Sequence, residues 1–197
     1  MQDQISSVCR ASFLELRRLA SIRPYLSERT SARLVAALIT SRLNYCNSVL
    51  VGLPAEQIGR LRRVQNSAAR LVLKKKKKNR KRDQITPRLN EVNGLPVKFR
   101  YEYKITILAY RHFDDTLPSY LSASLCTYQT SRTLRSLNEK LLKIPKRSLN
   151  SAGDRSFSFI APTVWNSLLA SLRNLPTLSD FKAQLKTFLF QQAFPQI

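Results

Sequence analysis

Few residues in this chain have the types and spacing that catalysis requires. Adjacent carboxylates at Asp114 and Asp115, preceded by His112 and Phe113, invite comparison with sites where paired acids hold two divalent ions about 4 Å apart. Such a site also needs a third carboxylate and a hairpin to present it. This pair instead leads into Thr116–Leu–Pro118 and reads as a turn. His112 is the only histidine, a residue expected to cap or to pack, and Cys9, Cys46 and Cys126 lie far apart with no CxxC pair. That excludes a zinc site of the usual ligand count and spacing. Four isolated glycines, Gly52, Gly59, Gly94 and Gly153, cannot build a loop that cradles phosphates. The chain reads as non-catalytic, with no metal and no cofactor.

The chemistry these residues do support is ionic. There are 34 Lys+Arg against 12 Asp+Glu, a formal net charge of +22. The densest stretch is KKKKKNRKR, in which Lys74, Lys75, Lys76, Lys77, Lys78, Arg80, Lys81 and Arg82 are interrupted only by Asn79. Subtracting those eight cations from +22 leaves +14, divided as +7 over residues 1–73 and +7 over 83–197. Basicity spread this widely points to a polyanionic partner, nucleic acid before an anionic membrane surface. No apolar run approaches membrane-spanning length, so no membrane partner is expected. MQDQISSVCR lacks the apolar core of a signal peptide, and sparse, odd-numbered cysteines suit a reducing compartment. The expectation is a soluble intracellular protein, nuclear or cytoplasmic.

Helices must position these charges. Residues 5–22 read as a helix with Phe13, Leu16, Leu19 and Ala20 on one side and Arg17 and Arg18 on the other, ended by Pro24. Ser27 is placed to cap a second helix through Leu43, with Ala32, Val35, Ala36, Ile39 and Leu43 recurring at helical spacing. Gly52–Leu–Pro54 punctuates the chain, and Pro54 suits the first position of a third helix, with Glu56 near its positive end. That helix carries Leu61, Val64, Ala68, Leu71 and Val72 on one face. Arg63, Arg70 and Lys74 project from the other, with Arg60 at the border, and residues 57–82 contain no acid. Two readings stand for this face: an ordinary solvated surface, or one that tracks a nucleic-acid backbone.

Beyond the run, a helix is expected from Val97 to Phe113, bearing Phe99, Tyr103, Ile107, Leu108 and Tyr110, and a short element starts at Thr116–Leu121. Residues 127–156 read as loop or extended chain, with Leu141, Leu142 and Ile144 able to form one short strand. A helix entered at Pro162 follows. Thr177 and Asp180 have capping-box spacing before a final helix bearing Leu178, Phe181, Leu185, Phe188 and Leu189. Trp165 and most other aromatics read as core. The expected fold is predominantly all-α: a helical module at 1–73, a polybasic linker at 74–84 and a second helical module at 85–197, with room for one short strand pair in the latter. The run itself admits three readings: a nuclear import signal read by an import receptor, a phosphate clamp, or a self-repelling seam between modules.

Several segments taken together resemble a known family. They are Ser41–Arg–Leu–Asn–Tyr–Cys–Asn–Ser48 with Gly52–Leu–Pro54, Val64–Gln–Asn–Ser–Ala–Ala–Arg–Leu–Val72, Ile85–Thr–Pro87, Leu95–Pro–Val97, Tyr103–Lys–Ile105, Pro118–Ser–Tyr–Leu121, Gly153–Asp–Arg–Ser–Phe157, Ala161–Pro162, Trp165–Asn–Ser–Leu168, Phe181–Lys182 and Leu185–Lys186. In this order, over residues 5 to 194, the chain is similar to the C-terminal part of non-LTR (LINE-type) retrotransposon reverse transcriptases, downstream of the polymerase palm. The resemblance implies a thumb-like helical module for 1–73, which in the family grips the template–primer duplex. It implies a C-terminal region credited with RNA or DNA binding for 83–197. The family's aromatic–x–Asp–Asp motif lies upstream of the part matched here, and Asp114–Asp115 do not replace it, because His112 stands at the aromatic position. Neither an endonuclease domain nor a Cys–Cys–His–Cys knuckle falls within these residues. Where the family commonly shows His–Trp before Leu–Pro, this chain has Asn93–Gly94, and its lysine tract is longer than the usual linker.

The expected function is that of a non-catalytic nucleic-acid-binding fragment. Arg60, Arg63, Arg70 and the run would supply backbone contacts with little base specificity. The alternative is a protein-interaction or non-functional remnant whose helices pack only in a parent polyprotein. Oligomeric state is not set by the sequence.

Overall fold

The structure is a computed structural model that describes residues 2–45, 52–73, 94–129, 140–146 and 156–195. The polybasic segment 74–84 lies outside them. The fold is predominantly α-helical, and among the described residues extended chain pairs only at an isolated antiparallel bridge between Thr127 and Leu142. Contacts gather into two compact units. One is drawn from Met1–Cys46, Leu53–Arg100 and Ala193–Ile197, the other from Asn47–Gly52 and Tyr101–Gln192.

The first unit is built on three helical segments. Helix α1 (Gln2–Ile22) buries Ile5, Cys9, Ser12, Leu16 and Leu19, a stripe with alternating four- and three-residue steps that keeps to one side of an α-helix. Phe13 and Ala20, placed on that side by the sequence, fall outside the stripe: Phe13 is 37% exposed and Ala20 is exposed. Pro24 ends the helix as expected, in a single 3-10 turn over Arg23–Tyr25. Ser27 caps α2 (Glu28–Val35), its Oγ accepting from the Thr30 N–H at 3.0 Å, a contact worth about 1 kcal/mol. The helix continues through a π turn (Ala36–Thr40) into α3 (Ser41–Asn44). Here Ser31, Val35, Ile39 and Leu43 are buried at strict four-residue spacing. In a straight α-helix such a row drifts by about 40° per step. The wider π turn accommodates the row and leaves Ala36, expected in the core, exposed.

Helix α4 (Ala55–Val72) starts with Pro54 as its N-cap, one position earlier than the sequence placed it, and buries Leu61, Val64, Gln65, Ala68, Ala69 and Val72. Leu71 is only half-buried. Helix α1 packs along α4 with both chains running the same way, since Arg60 reaches Ser6 near their starts and Arg23 reaches Leu71 and Val72 near their ends.

The division between units falls inside α5 (Val97–Phe113), between Arg100 and Tyr101. The bounds of α5 match expectation, but its buried row is Val97, Tyr101, Ile105, Thr106, Ala109 and Tyr110. Phe99, Tyr103, Ile107 and Leu108 are half-buried at the flanks. With apolar residues nearly all round this helix, periodicity alone could not choose the inner face.

The second unit also holds α6 (Ser119–Ser122), α7 (Phe157–Asn166), α8 (Ala170–Arg173) and α9 (Leu178–Ala193). Helix α7 begins at Phe157, so Pro162 is inside it rather than at its entrance. The proline forgoes one bond to the Ser158 carbonyl and is buried between Ala161 and Trp165. Trp165, fully buried, is the hub of this unit. Phe113 stacks on it at 5.3 Å, Tyr110 meets its edge at 6.4 Å, and Phe181 lies 5.8 Å away while stacking on Tyr110 at 4.4 Å. Such pairs add about 0.5–1.5 kcal/mol each beyond the area they bury. The Trp165 Nε1–H donates to the Lys140 carbonyl at 2.5 Å, and the Tyr110 hydroxyl donates to the Leu175 carbonyl at 2.9 Å. The Thr177–Asp180 box caps α9 as expected, with the Asp180 N–H donating to Thr177 Oγ1 at 3.1 Å.

Candidate nucleic-acid interface

Helix α4 presents the cations that the sequence singled out. Arg63 and Arg70 are exposed, and Arg60 is half-buried at the border. At 1.5 Å per residue they stand about 5 and 10 Å apart along the helix axis. The Arg60 guanidinium donates to Ser6 Oγ at 3.1 Å, which fixes its stem against α1 while the charge stays near the surface. Arg62, which the sequence reading passed over, is exposed as well; it belongs to the same basic cluster but to the opposite flank of the buried row. Of the remaining expected site residues, Lys74, Lys75, Lys76, Lys77, Lys78, Arg80, Lys81 and Arg82 lie outside the described residues.

Among the described residues no carboxylate pairs with these cations, although Glu56 stands four residues before Arg60 on the same face. Glu56 is the one acid of α4 and sits in its first turn. Glu15 pairs with Arg18 at 3.3 Å and with Arg42 at 3.6 Å. Arg62, Arg63 and Arg70 therefore keep their donors for an outside anion. Their field reaches inward as well. Burial pushes the Cys9 thiol up, and Arg60 and Arg63 pull it back toward the thiolate.

Two further polar groups hold α4 in place, and neither was visible in the periodicity. Arg23 is buried at the helix C-terminus, where Nε donates to the Leu71 carbonyl at 2.9 Å and Nη2 to the Val72 carbonyl at 2.7 Å. Its Nη1 donates to the Leu26 carbonyl at 2.7 Å. A guanidinium there meets unpaired carbonyls and the negative end of the helix dipole. Gln65, also buried, spans two backbone groups of the incoming segment. Its Nε2 donates to the Leu95 carbonyl at 2.7 Å, and its Oε1 accepts from the Val97 N–H at 3.1 Å. Arg23 precedes a proline and Gln65 falls among apolar neighbours, so the available signals were local and weak.

The second unit contains the same device. Asn166 Oδ1 accepts from the Leu142 N–H at 3.0 Å and its Nδ2 donates to the Leu142 carbonyl at 2.8 Å. On the other edge of that short strand, Tyr128 N–H donates to the Leu141 carbonyl at 2.9 Å and Lys143 N–H to the Cys126 carbonyl at 2.7 Å. Backbone groups of successive strand residues face opposite ways, so one edge meets real chain and the other meets an amide side chain.

The groups considered for catalysis lie in this unit. Asp114 and Asp115 are exposed in a turn, with Asp115 at φ 51°. His112 Nδ1 hydrogen-bonds Ser122 Oγ at 2.9 Å, and its ring meets Phe113 edge-on at 5.5 Å. Burial holds the His112 pKa below its ordinary value, with Asp115 acting the other way. Among the described residues no three His, Cys, Asp or Glu side chains are grouped to hold a metal ion, and no helix is long and apolar enough to cross a membrane. Comparison with protein-family models, curated proteins and solved structures finds no match for this chain.

Proposed function

We propose that this chain is a non-catalytic nucleic-acid-binding fragment of the thumb and post-polymerase region of a non-LTR retrotransposon reverse transcriptase, with the nucleus as its site of action. The observation that carries this reading is the arginine face of α4, acid-free from Gln57 onward and continuous in sequence with Lys74–Arg82. Phosphates are the ligand such a face fits, because guanidinium forks match their oxygens and no carboxylate of the described residues pairs with Arg63 or Arg70. The order of the resembling segments supports the origin. Gln65, Asn166 and Trp165, which stand in two of those segments, are also side chains that hold each unit together. The cation density of the run would equally suit an import receptor.

The experiment is fluorescence anisotropy of the full chain with labelled single-stranded RNA and a DNA duplex, titrated from low to physiological salt. Neutralising the eight cations of the run should flatten the log–log salt slope on single strands by about 5 to 6 units, at roughly 0.7 per phosphate contact. Exchanging Arg60, Arg63 and Arg70 for Gln should flatten it by about 2 more. Binding that disappears above low salt in the unaltered chain, with no difference among variants, would leave only nonspecific attraction and favour the remnant reading.

A further inference from the structure

Two helical stripes with the same spacing run side by side in the first unit. On α4 the stripe is Arg60, Arg63, Ser67 and Arg70; on α1 it is Ser6, Arg10, Phe13, Arg17 and Ala20. Each repeats in steps of three and four residues, so each keeps to one flank of its helix. The hydrogen bond from Arg60 to Ser6 at 3.1 Å puts the two flanks against one another, and the parallel run of α1 and α4 keeps them in register from there. Counting upward from that contact, Arg10 comes level with Arg63, Phe13 with Ser67, and Arg17 with Arg70. The influence of both Arg60 and Arg63 on Cys9, one residue before Arg10, agrees with this register.

The result is a seam with cations on both walls and an aromatic ring at its centre. Arg10, Arg17, Arg63 and Arg70 are exposed, and among the described residues none of them pairs with a carboxylate. Phe13 is 37% exposed, and the residue level with it across the seam is the small Ser67, whose hydroxyl turns back to the Arg63 carbonyl at 2.9 Å. An apolar ring left in water between four guanidiniums gains nothing from a bare phosphate chain. It gains from a flat apolar partner whose own charges lie on either side, and an unpaired nucleotide has that form. In a duplex the base faces are already stacked and a surface ring cannot reach them.

We infer that the α1–α4 seam is a single-strand track, in which Phe13 stacks on one base while Arg10 and Arg17 on one wall, and Arg63 and Arg70 on the other, hold the flanking phosphates. This rests on the nucleic-acid reading given above and narrows it, by assigning the ligand as an unpaired strand and adding three residues of α1 to the contact set.

The test uses the full chain with oligo(U), oligo(dU) and a duplex of equal length. Phe13→Ala should weaken single-strand binding roughly 5- to 150-fold, leave the salt slope unchanged and spare duplex binding. Arg10→Gln with Arg17→Gln should flatten the single-strand salt slope by about 1.4. In Phe13→Trp the new indole should be quenched on saturation with oligo(U), against a background from the fully buried Trp165, the chain's one native tryptophan. Comparison of oligo(U) with oligo(dU) reports the choice of sugar. If the unaltered chain binds single strands while Phe13→Ala binds as well as before and Phe13→Trp is not quenched, the stacking track is wrong and the broader reading stands. Binding confined to the duplex overturns the track as well. If no nucleic acid binds, both readings fall.

Discussion

Replacing Gln65 with Met removes an amide while conserving volume, so the cavity contribution that complicates most core substitutions is small. The change affects two backbone groups unequally. The Leu95 carbonyl keeps a second donor, since Arg100 Nε reaches it at 2.7 Å. The Val97 N–H keeps nothing comparable: Val97 is 2% exposed and in the first turn of α5, where N–H groups have no intrahelical acceptor. An orphaned buried donor costs about 1–3 kcal/mol, and the second lost bond about 1 more, giving about 2–4 kcal/mol in all. Urea unfolding followed by far-UV circular dichroism measures it. With a denaturant slope of about 1–3 kcal/mol per molar, a loss near 3 kcal/mol moves the midpoint down by about 1–3 M. A loss below about 1 kcal/mol would refute the reasoning, because it would mean that water reaches the Val97 amide and the segment is not sealed against α4.

Two other outcomes follow from groups the periodicity did not reveal. Arg23→Met deletes three donors from the end of α4 and should destabilise the chain by about 2–4 kcal/mol; Arg23→Lys should recover only part of that, because an ammonium has no fork to span three carbonyls. Full recovery by Arg23→Lys in urea melts would show that fork geometry is irrelevant there. For His112, the unfolded chain takes up a proton near 6.5 while the folded chain resists to a lower pH. Its contribution is therefore complete above 6.5 and declines as the pH falls through the folded value. His112→Gln should flatten the stability profile over that acidic range, and an unaltered profile would assign the acid sensitivity elsewhere.

The helices were legible because their boundaries rest on short-range chemistry. Pro24, Ser27, Pro54 and the Thr177–Asp180 pair act within one turn, and the structure places all four at helix ends. Which face turns inward was legible only where apolar and polar residues separate cleanly. In α4 they do, and Arg63 and Arg70 were found on the open side. In α5 they do not, and the inner face had to be chosen by Trp165 and Phe181, partners far along the chain. Phe13 was misplaced for a related reason. It lies at the edge of the apolar stripe of α1, and only the position of α4 decides which edge is covered. The contacts of Arg23, Gln65 and Asn166 are side chain to distant backbone, and no local pattern encodes such a pairing. Of the candidate site, the α4 cations could be read from spacing; their companions on α1 required knowing which helices are neighbours.

The amide pairings at Gln65 and Asn166 have a consequence for how this sequence can change over time. Each position needs a donor and an acceptor on one rigid plane at one reach, and no other side chain of the same length offers both. A carboxylate loses the donor, an ammonium the acceptor, and exchange of Asn for Gln shifts the reach by a methylene. The arginines on the surface are different, since Lys preserves their charge toward a phosphate at modest cost. In lineages where nothing requires the chain to fold, positions 65 and 166 should accumulate replacements as freely as any others. Where a folded product is still needed, those two should stand still while the cations around them interchange. Their rate of replacement relative to Arg63 and Arg70 is thus a record of whether selection still acts on this reading frame.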